Sequence, residues 1–220
     1  MVGGHKAVSS VGKVTSPKKL EKGEPDKEVL RIVGASDNAY FPGLCLTFAS
    51  TVAFLRKSIC PLVSVIHDGL NAIHAMVLEK LLSRFHSSAK IDLNRADSFR
   101  ITLPDAPGLH QLAYARLFAP EIVEEEKSIY LDSDLLVLRD ISELAGFLDS
   151  EFITAAPICG VLGDDCPWLD SAKMTPQDPC FCSGVMAVNR NLWQRQGLTN
   201  SSTSLAKKDP AICKVTIKLF

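Results

Sequence analysis

The sequence predicts an α/β fold with a mostly parallel sheet flanked by helices. Two observations lead there. Short runs of β-branched and apolar residues ("VLRIVGAS", "PLVSVIHDGL", "SIYLD", "SGVMAVN") recur along the chain, and segments with helical apolar spacing lie between them. A crossover helix brings each new strand back to the same end, so such strands pair in parallel. The chain's 220 residues, 46% hydrophobic and 22% charged, suffice to bury one fair-sized core.

The elements follow in order. Residues 1–28 hold six Lys, four acids, four Gly and two Pro with almost no large apolar side chain, and are expected to be a disordered tail. Structure is expected from Val29, where "VLRIVGAS" reads as a buried strand running into a loop. Leu44, Phe48, Val52 and Leu55 recur at helical spacing, with Arg56 and Lys57 closing the last turn. "PLVSVIHDGL" reads as a second strand, and Ile73, Val77, Leu81 and Phe85 as the core stripe of a second helix, with Met76 also in the core. "KIDLNRA" reads as a third strand, "DAPGLHQLAYARLFAPEIV" as a loop entering a helix, and "SIYLD" as the fourth strand. "VLRD" is a short fifth piece, "ISELAGFL" a short helix and "EFITAAPI" another strand. Cys159–Pro179 is polar and irregular; "SGVMAVN" returns to strand and "RNLWQRQG" to helix, with Gly197 as its cap.

The bulk properties exclude several classes. A net charge of -1 gives no reason to expect nucleic acid or an anionic membrane as partner. The longest apolar stretch, "GLCLTFASTVAFL", is too short and too interrupted to form a transmembrane segment, and no secretory h-region opens the chain. Seven cysteines at irregular spacings fit reduced thiols, so the expected location is cytoplasmic, free or peripheral to a membrane.

One stretch breaks the apolar pattern. In "SIYLDSDLLVLRD" two acids, Asp132 and Asp134, interrupt an otherwise core-like run. Residues i and i+2 of an extended segment project to one side, so the two carboxylates converge. Converging carboxylates repel unless a cation lies between them, and oxygen ligands suit Mg²⁺ or Mn²⁺. An ion held by so few protein groups completes its shell with water and substrate phosphates. Taken alone, Asp-x-Asp also describes a turn with two solvated acids.

Four stretches occur together, in order: "IVGASDNAYFPGL", "YARLFAPEI", "IYLDSDLLVLRDISELA" and "FCSGVMAVNRNLW". Over residues 29 to about 197 the chain resembles the family 8 glycosyltransferases, the group of bacterial lipopolysaccharide galactosyl- and glucosyltransferases and, more distantly, glycogenin. The resemblance implies a GT-A fold, a UDP-sugar donor, a divalent metal (Mn²⁺ or Mg²⁺) and hexosyl transfer with retention to a glycan or lipid-linked saccharide. By position, Ala35, Ser36, Asp37 and Tyr40 would hold the nucleotide, Arg116, Cys182 and Ser183 the donor sugar, and Asp132 and Asp134 the metal. Apart from the resemblance, Asp37 has a second reading as a turn or helix-cap acid, and Arg116 reads equally as a surface arginine. No residue is assigned as nucleophile or general base.

The sequence departs from the family pattern twice. The family's Phe-Asn-Ser-Gly has Cys182 in place of Asn, and a thiol is a weak donor. The family's C-terminal His-x-x-Gly-x-x-Lys-Pro-Trp is absent, and no His follows His110. "SSTSLAKKDPAICKVTIKLF" ends instead on an apolar, strand-like tail. The chain therefore reads as a GT-A domain over 29–197, incomplete, with a divergent segment over 198–220. A catalytically weak or inactive nucleotide-sugar-binding remnant is the alternative to an active enzyme. The spacing of Cys159, Cys166, Cys180 and Cys182 does not match zinc knuckles, and His67-Asp68 reads as structural.

Overall fold

The computed structural model describes residues 28–99, 111–148, 151–164, 169 and 174–208. The expected tail up to residue 27, the segment "DAPGLH", Cys166 and the strand-like end over 211–220 lie outside them.

Strands β1 (Glu28–Asp37), β2 (Ile59–Asp68) and β3 (Lys90–Arg95) are joined through α1 (Phe41–Phe54) and α2 (Ala72–Leu82) and pair in parallel. Two 3-10 turns, Ala96–Phe99 and Gln111–Tyr114, and then α3 (Ala115–Ile122) lead to β4 (Lys127–Leu131), which joins the other side of β1, again parallel. Next come α4 (Ser142–Gly146), β5 (Thr154–Ala155) and an antiparallel ribbon of β6 (Ile158–Val161) and β7 (Pro179–Phe181). β8 (Val185–Asn189) enters antiparallel between β4 and β5, and α5 (Arg190–Arg195) and α6 (Leu198–Lys208) follow. The six-stranded order is β3-β2-β1-β4-β8-β5.

Side chains alternate across a strand, so each face of the sheet has its own core. Leu30, Ile32, Val63, Val65, Ile129 and Leu131 pack under α1 and α2 against Leu44, Phe48, Val52, Leu78 and Leu82. Val33, Ala35, Ile66 and Tyr130 pack on the opposite face under α3, through Ala115 and Ala119. Tyr114, Leu117, Met186, Val188 and Trp193 extend that layer. Each large side chain buried this way contributes roughly 1.5–3 kcal/mol. Trp193 Nε1 donates to Thr199 Oγ1 at 2.9 Å, and that hydroxyl donates to the Leu117 carbonyl at 3.0 Å, which docks α6 onto α3. Gly197, with φ +63, ends α5 as expected.

Three expectations need correction. In α2 the buried residues are Leu78 and Leu82, whereas Ile73, Met76, Val77 and Phe85 are exposed. The helix carries two neighbouring apolar stripes, and the one adjacent to that expected packs on the sheet. "VLRD" forms no strand. The Leu135 N–H donates to Thr47 Oγ1 at 3.0 Å and the Val137 N–H to Ser50 Oγ at 3.1 Å, so hydroxyls of α1 replace a ladder partner. "EFITAAPI" divides at Pro157, which has no N–H for a ladder; Thr154–Ala155 pairs with β8, whereas Ile158 begins the ribbon with β7.

Candidate active site

In open α/β sheets ligands bind beyond the carboxyl ends of the strands, where the strand order reverses. This chain builds outward from β1 to β2 and β3, then returns to β4 on the opposite side of β1, so the reversal falls between β1 and β4. Val33 pairs with Tyr130, and the same register two residues on brings Asp132 level with Ala35. A cavity of about 240 Å³ opens there. Ala35, Ser36, Asp37 and Tyr40 line it from β1 and the turn before α1, Arg116 from α3, and Asp132 and Asp134 from beyond β4. Of the predicted residues, Cys182 and Ser183 do not line it.

Arg116 is not a surface arginine. It is 7% exposed, and all three of its nitrogens donate: Nε to the Ala113 carbonyl at 2.9 Å, Nη1 to Ser183 Oγ at 2.7 Å and Nη2 to Asp132 Oδ1 at 2.8 Å. Its guanidinium also lies over the Tyr130 ring, 5.3 Å from the centroid. Ser183 thus meets the site through Arg116. Cys182 is exposed, and its backbone N–H donates to the Pro157 carbonyl at 2.8 Å.

Asp132 is held from several directions. Its backbone N–H donates to the Gly184 carbonyl at 2.8 Å, extending the β4–β8 ladder by one step. A Cβ on Gly184 would stand 2.6 Å from Asp132 Oδ2, so a glycine is needed for the carboxylate to lie there. Burial pushes the Asp132 carboxyl above its ordinary range; Arg116 and a hydrogen bond from Tyr130 pull it down, and the Asp134 charge adds to the rise. Burial likewise pushes the Tyr130 phenol up. Asp134 is exposed at the cavity mouth. The link residue, Ser133, packs its carbonyl where a side chain on Gly43 would stand, so α1 seats the Asp-Ser-Asp turn directly.

Asp37 fills the turn role that the sequence offered for it, and it also lines the cavity. Its Oδ1 accepts from the N–H groups of Ala39 and Tyr40, both at 2.9 Å, which fixes the turn into α1. Its Oδ2 has no hydrogen bond among the described residues, and Asp37 lines the cavity. Buried Ser36 donates to the Asp37 carbonyl at 2.8 Å and shapes the same turn. Tyr40 is 61% exposed and presents its ring at the rim.

The donor set fits a hard divalent cation. Asp132 and Asp134 offer oxygen ligands to one cavity, and Arg116 engages only Oδ1 of Asp132, leaving the pair with excess negative charge. Among the described residues no cluster of three or more His, Cys, Asp or Glu side chains completes a cage. Such a site suits an ion that keeps water and phosphate ligands. His67 lies buried near the end of β2, and its Nδ1 has no hydrogen-bond partner among the described residues; burial and then the charge of Arg95 lower its pKa.

Sequence reasoning missed Tyr130 and Gly184. Tyr130 stands two residues before Asp132 on one strand, the same spacing that paired the two acids. Gly184 lies inside the recognised "FCSGV" stretch, but its close approach to Asp132 depends on the antiparallel pairing of β8 with β4.

This sheet, with its cavity at the β1–β4 reversal, is the GT-A fold of nucleotide-sugar transferases. The sequence profile of glycosyl transferase family 8 matches residues 31–217, and the chain belongs to that family. It is 28% identical over 104 residues to Glycosyltransferase GlyE of Streptococcus pneumoniae serotype 4, covering 47% of this chain and 22% of GlyE. It is 24% identical over 189 residues to General stress protein A of Bacillus subtilis (strain 168), covering 83% of this chain and 64% of that protein. The chain thus spans less than two thirds of either relative's length. Among solved structures, the WbbM bifunctional glycosyltransferase superposes with a TM-score of 0.68 at 18% identity, over 82% of this chain and 35% of that one. The galactosyltransferase LgtC, solved with donor and acceptor sugar analogs, gives 0.65 at 20% identity, over 87% and 66%. At these identities the likeness is one of fold.

Proposed function

We propose that the chain is a metal-dependent, retaining hexosyltransferase that moves a hexose from a UDP-sugar to a hydroxyl of a glycan or lipid-linked saccharide. The observation that carries this reading is the meeting of Asp37 and Tyr40 with Arg116, Asp132 and Asp134 around one cavity. The unengaged oxygen of Asp37 accepts from a uracil N–H or a ribose hydroxyl. The Tyr40 ring offers an apolar face to the base. Asp132 and Asp134 hold Mn²⁺ or Mg²⁺, which supplies charge neutralisation for the diphosphate when bound. Arg116 keeps Asp132 aimed into the cavity and adds positive charge beside it. No helix among the described residues is long and apolar enough to cross a membrane.

A second reading rests on the lack of a third ligand among the described residues: a nucleotide-sugar binder with little or no turnover. Incubation with a panel of UDP-sugars and saccharide acceptors, with released UDP quantified, separates the two. Release with one donor that Asp134→Ala abolishes supports the transferase. Donor binding without release assigns the second reading, and neither binding nor release removes both.

A further inference from the structure

The ribbon of β6 and β7 carries chemistry that the cavity does not use. The Cys159 thiol donates to the Cys180 carbonyl at 3.3 Å, and its sulfur lies 3.7 Å from the Cys180 sulfur. Cys159 is exposed and Cys180 is half-buried. Their closeness comes from the ribbon itself. The register shifts between Ile158 and Gly160, so Cys159 lies in an irregularity opposite Phe181 and Cys180. Such bulges bend the strand and re-aim a side chain. Ile158 and Val161 of the same strand are exposed, so a small oxidant has access to the ribbon. β7 leads within three residues to Ser183 and Gly184, the contacts of Arg116 and Asp132.

We propose that Cys159 and Cys180 are a redox modification site, a dithiol that closes reversibly to a disulfide with a small-molecule disulfide such as oxidised glutathione. One protein thiolate attacks a glutathione sulfur; the S–S bond breaks and one glutathione thiolate leaves. The second protein thiolate attacks the protein sulfur of the mixed disulfide and expels the second glutathione. Two protein thiols become one disulfide, one oxidised glutathione becomes two thiols, and the two protons pass from the protein thiols to the glutathione thiolates. The sulfurs close from 3.7 Å to about 2.05 Å, a shift on the scale of side-chain rotation. The bond ties β6 to β7 and fixes the strand that delivers Ser183 and Gly184 to the cavity. This site stands on the ribbon alone and does not depend on the proposed transferase activity.

The test equilibrates the full chain in buffers of increasing oxidised-to-reduced glutathione, quenches by alkylation and maps cysteines by mass spectrometry. The expected product has lost two hydrogen atoms and yields a linked pair of peptides carrying Cys159 and Cys180. It reverts in reduced glutathione, disappears in Cys159→Ser and in Cys180→Ser, and persists in Cys182→Ser and Cys60→Ser. Melting curves of the reduced variants that match the parent show that the two serine variants are folded. Separate glutathione adducts on Cys159 and Cys180, a disulfide from either to any other cysteine, or two thiols that stay alkylatable in oxidised glutathione would each overturn the proposal.

Discussion

Replacing Arg116 by methionine tests whether the Asp132 carboxylate depends on one buried guanidinium. The substitution keeps much of the buried stem but removes three hydrogen bonds, to Ala113, Ser183 and Asp132. Losing one partner of a buried ion pair costs about 3–5 kcal/mol, since the remaining charge stays desolvated. The Asp132 side chain retains 29% exposure, which places the cost at the low end, about 3 kcal/mol. In a chain of this size that lowers the melting temperature by about 6–12 °C. Asp132→Asn alone keeps an acceptor for Nη2 but leaves the buried guanidinium without its counter-charge, so it should cost about 1.5–3 kcal/mol. In the Arg116→Met background the same change should recover about 2 kcal/mol. Urea unfolding of the four proteins closes the cycle. Arg116→Met within about 0.5 kcal/mol of the parent, or strict additivity, would refute the reasoning.

Further perturbations probe the surrounding contacts. Gly184→Ala puts a methyl group 2.6 Å from Asp132 Oδ2, so the carboxylate must swing off Arg116; UDP affinity in Mn²⁺, measured by fluorescence competition, should fall about 10–100-fold, roughly the worth of one charge-assisted bond. Thr47→Val leaves the Leu135 N–H and carbonyl without their hydroxyl partner. It should cost about 1–2 kcal/mol in urea unfolding and speed amide exchange at Leu135. Arg31 grips Glu125 through bonds of 2.7 and 2.8 Å. Burial raises the Glu125 carboxyl, but Arg31 and local backbone donors outweigh it and hold the group low. A lowered acid contributes stability that is present above its unfolded pKa and is lost as pH falls through its folded one. Arg31→Met should therefore be less stable by about 1–2 kcal/mol at pH 7, with the gap narrowing below about pH 4. A gap that does not change with pH would assign the effect to packing.

Much of the fold was legible because β1, β2, β4 and β8 are continuous apolar runs, as strands buried on both faces must be. The reversal between β1 and β4 was not, since strand order is a property of pairing and not of pattern. Yet Asp37, Asp132 and Asp134, which the resemblance picked out from distant stretches, do line one cavity. The stripe of α2 was misread because periodicity reports that an apolar face exists and not which of two faces meets the sheet. The backbone of 135–137 was misread because its partners, Thr47 and Ser50, are side chains from a distant helix. Arg116 reads as polar in any pattern, and only the convergence of Ala113, Ser183 and Asp132 makes a buried guanidinium favourable. Cys182 matched a family position by sequence; it lies between β7 and the turn at Ser183 and Gly184 and is not among the residues that line the cavity.

The most direct test of the central claim is calorimetric titration of UDP, with and without Mn²⁺, into the parent chain and Asp134→Ala. Binding should require Mn²⁺ and be abolished by Asp134→Ala, with the fold of the variant unchanged by circular dichroism. Binding of equal strength without the metal, or undiminished binding in Asp134→Ala, would contradict a metal held by the Asp132–Asp134 pair.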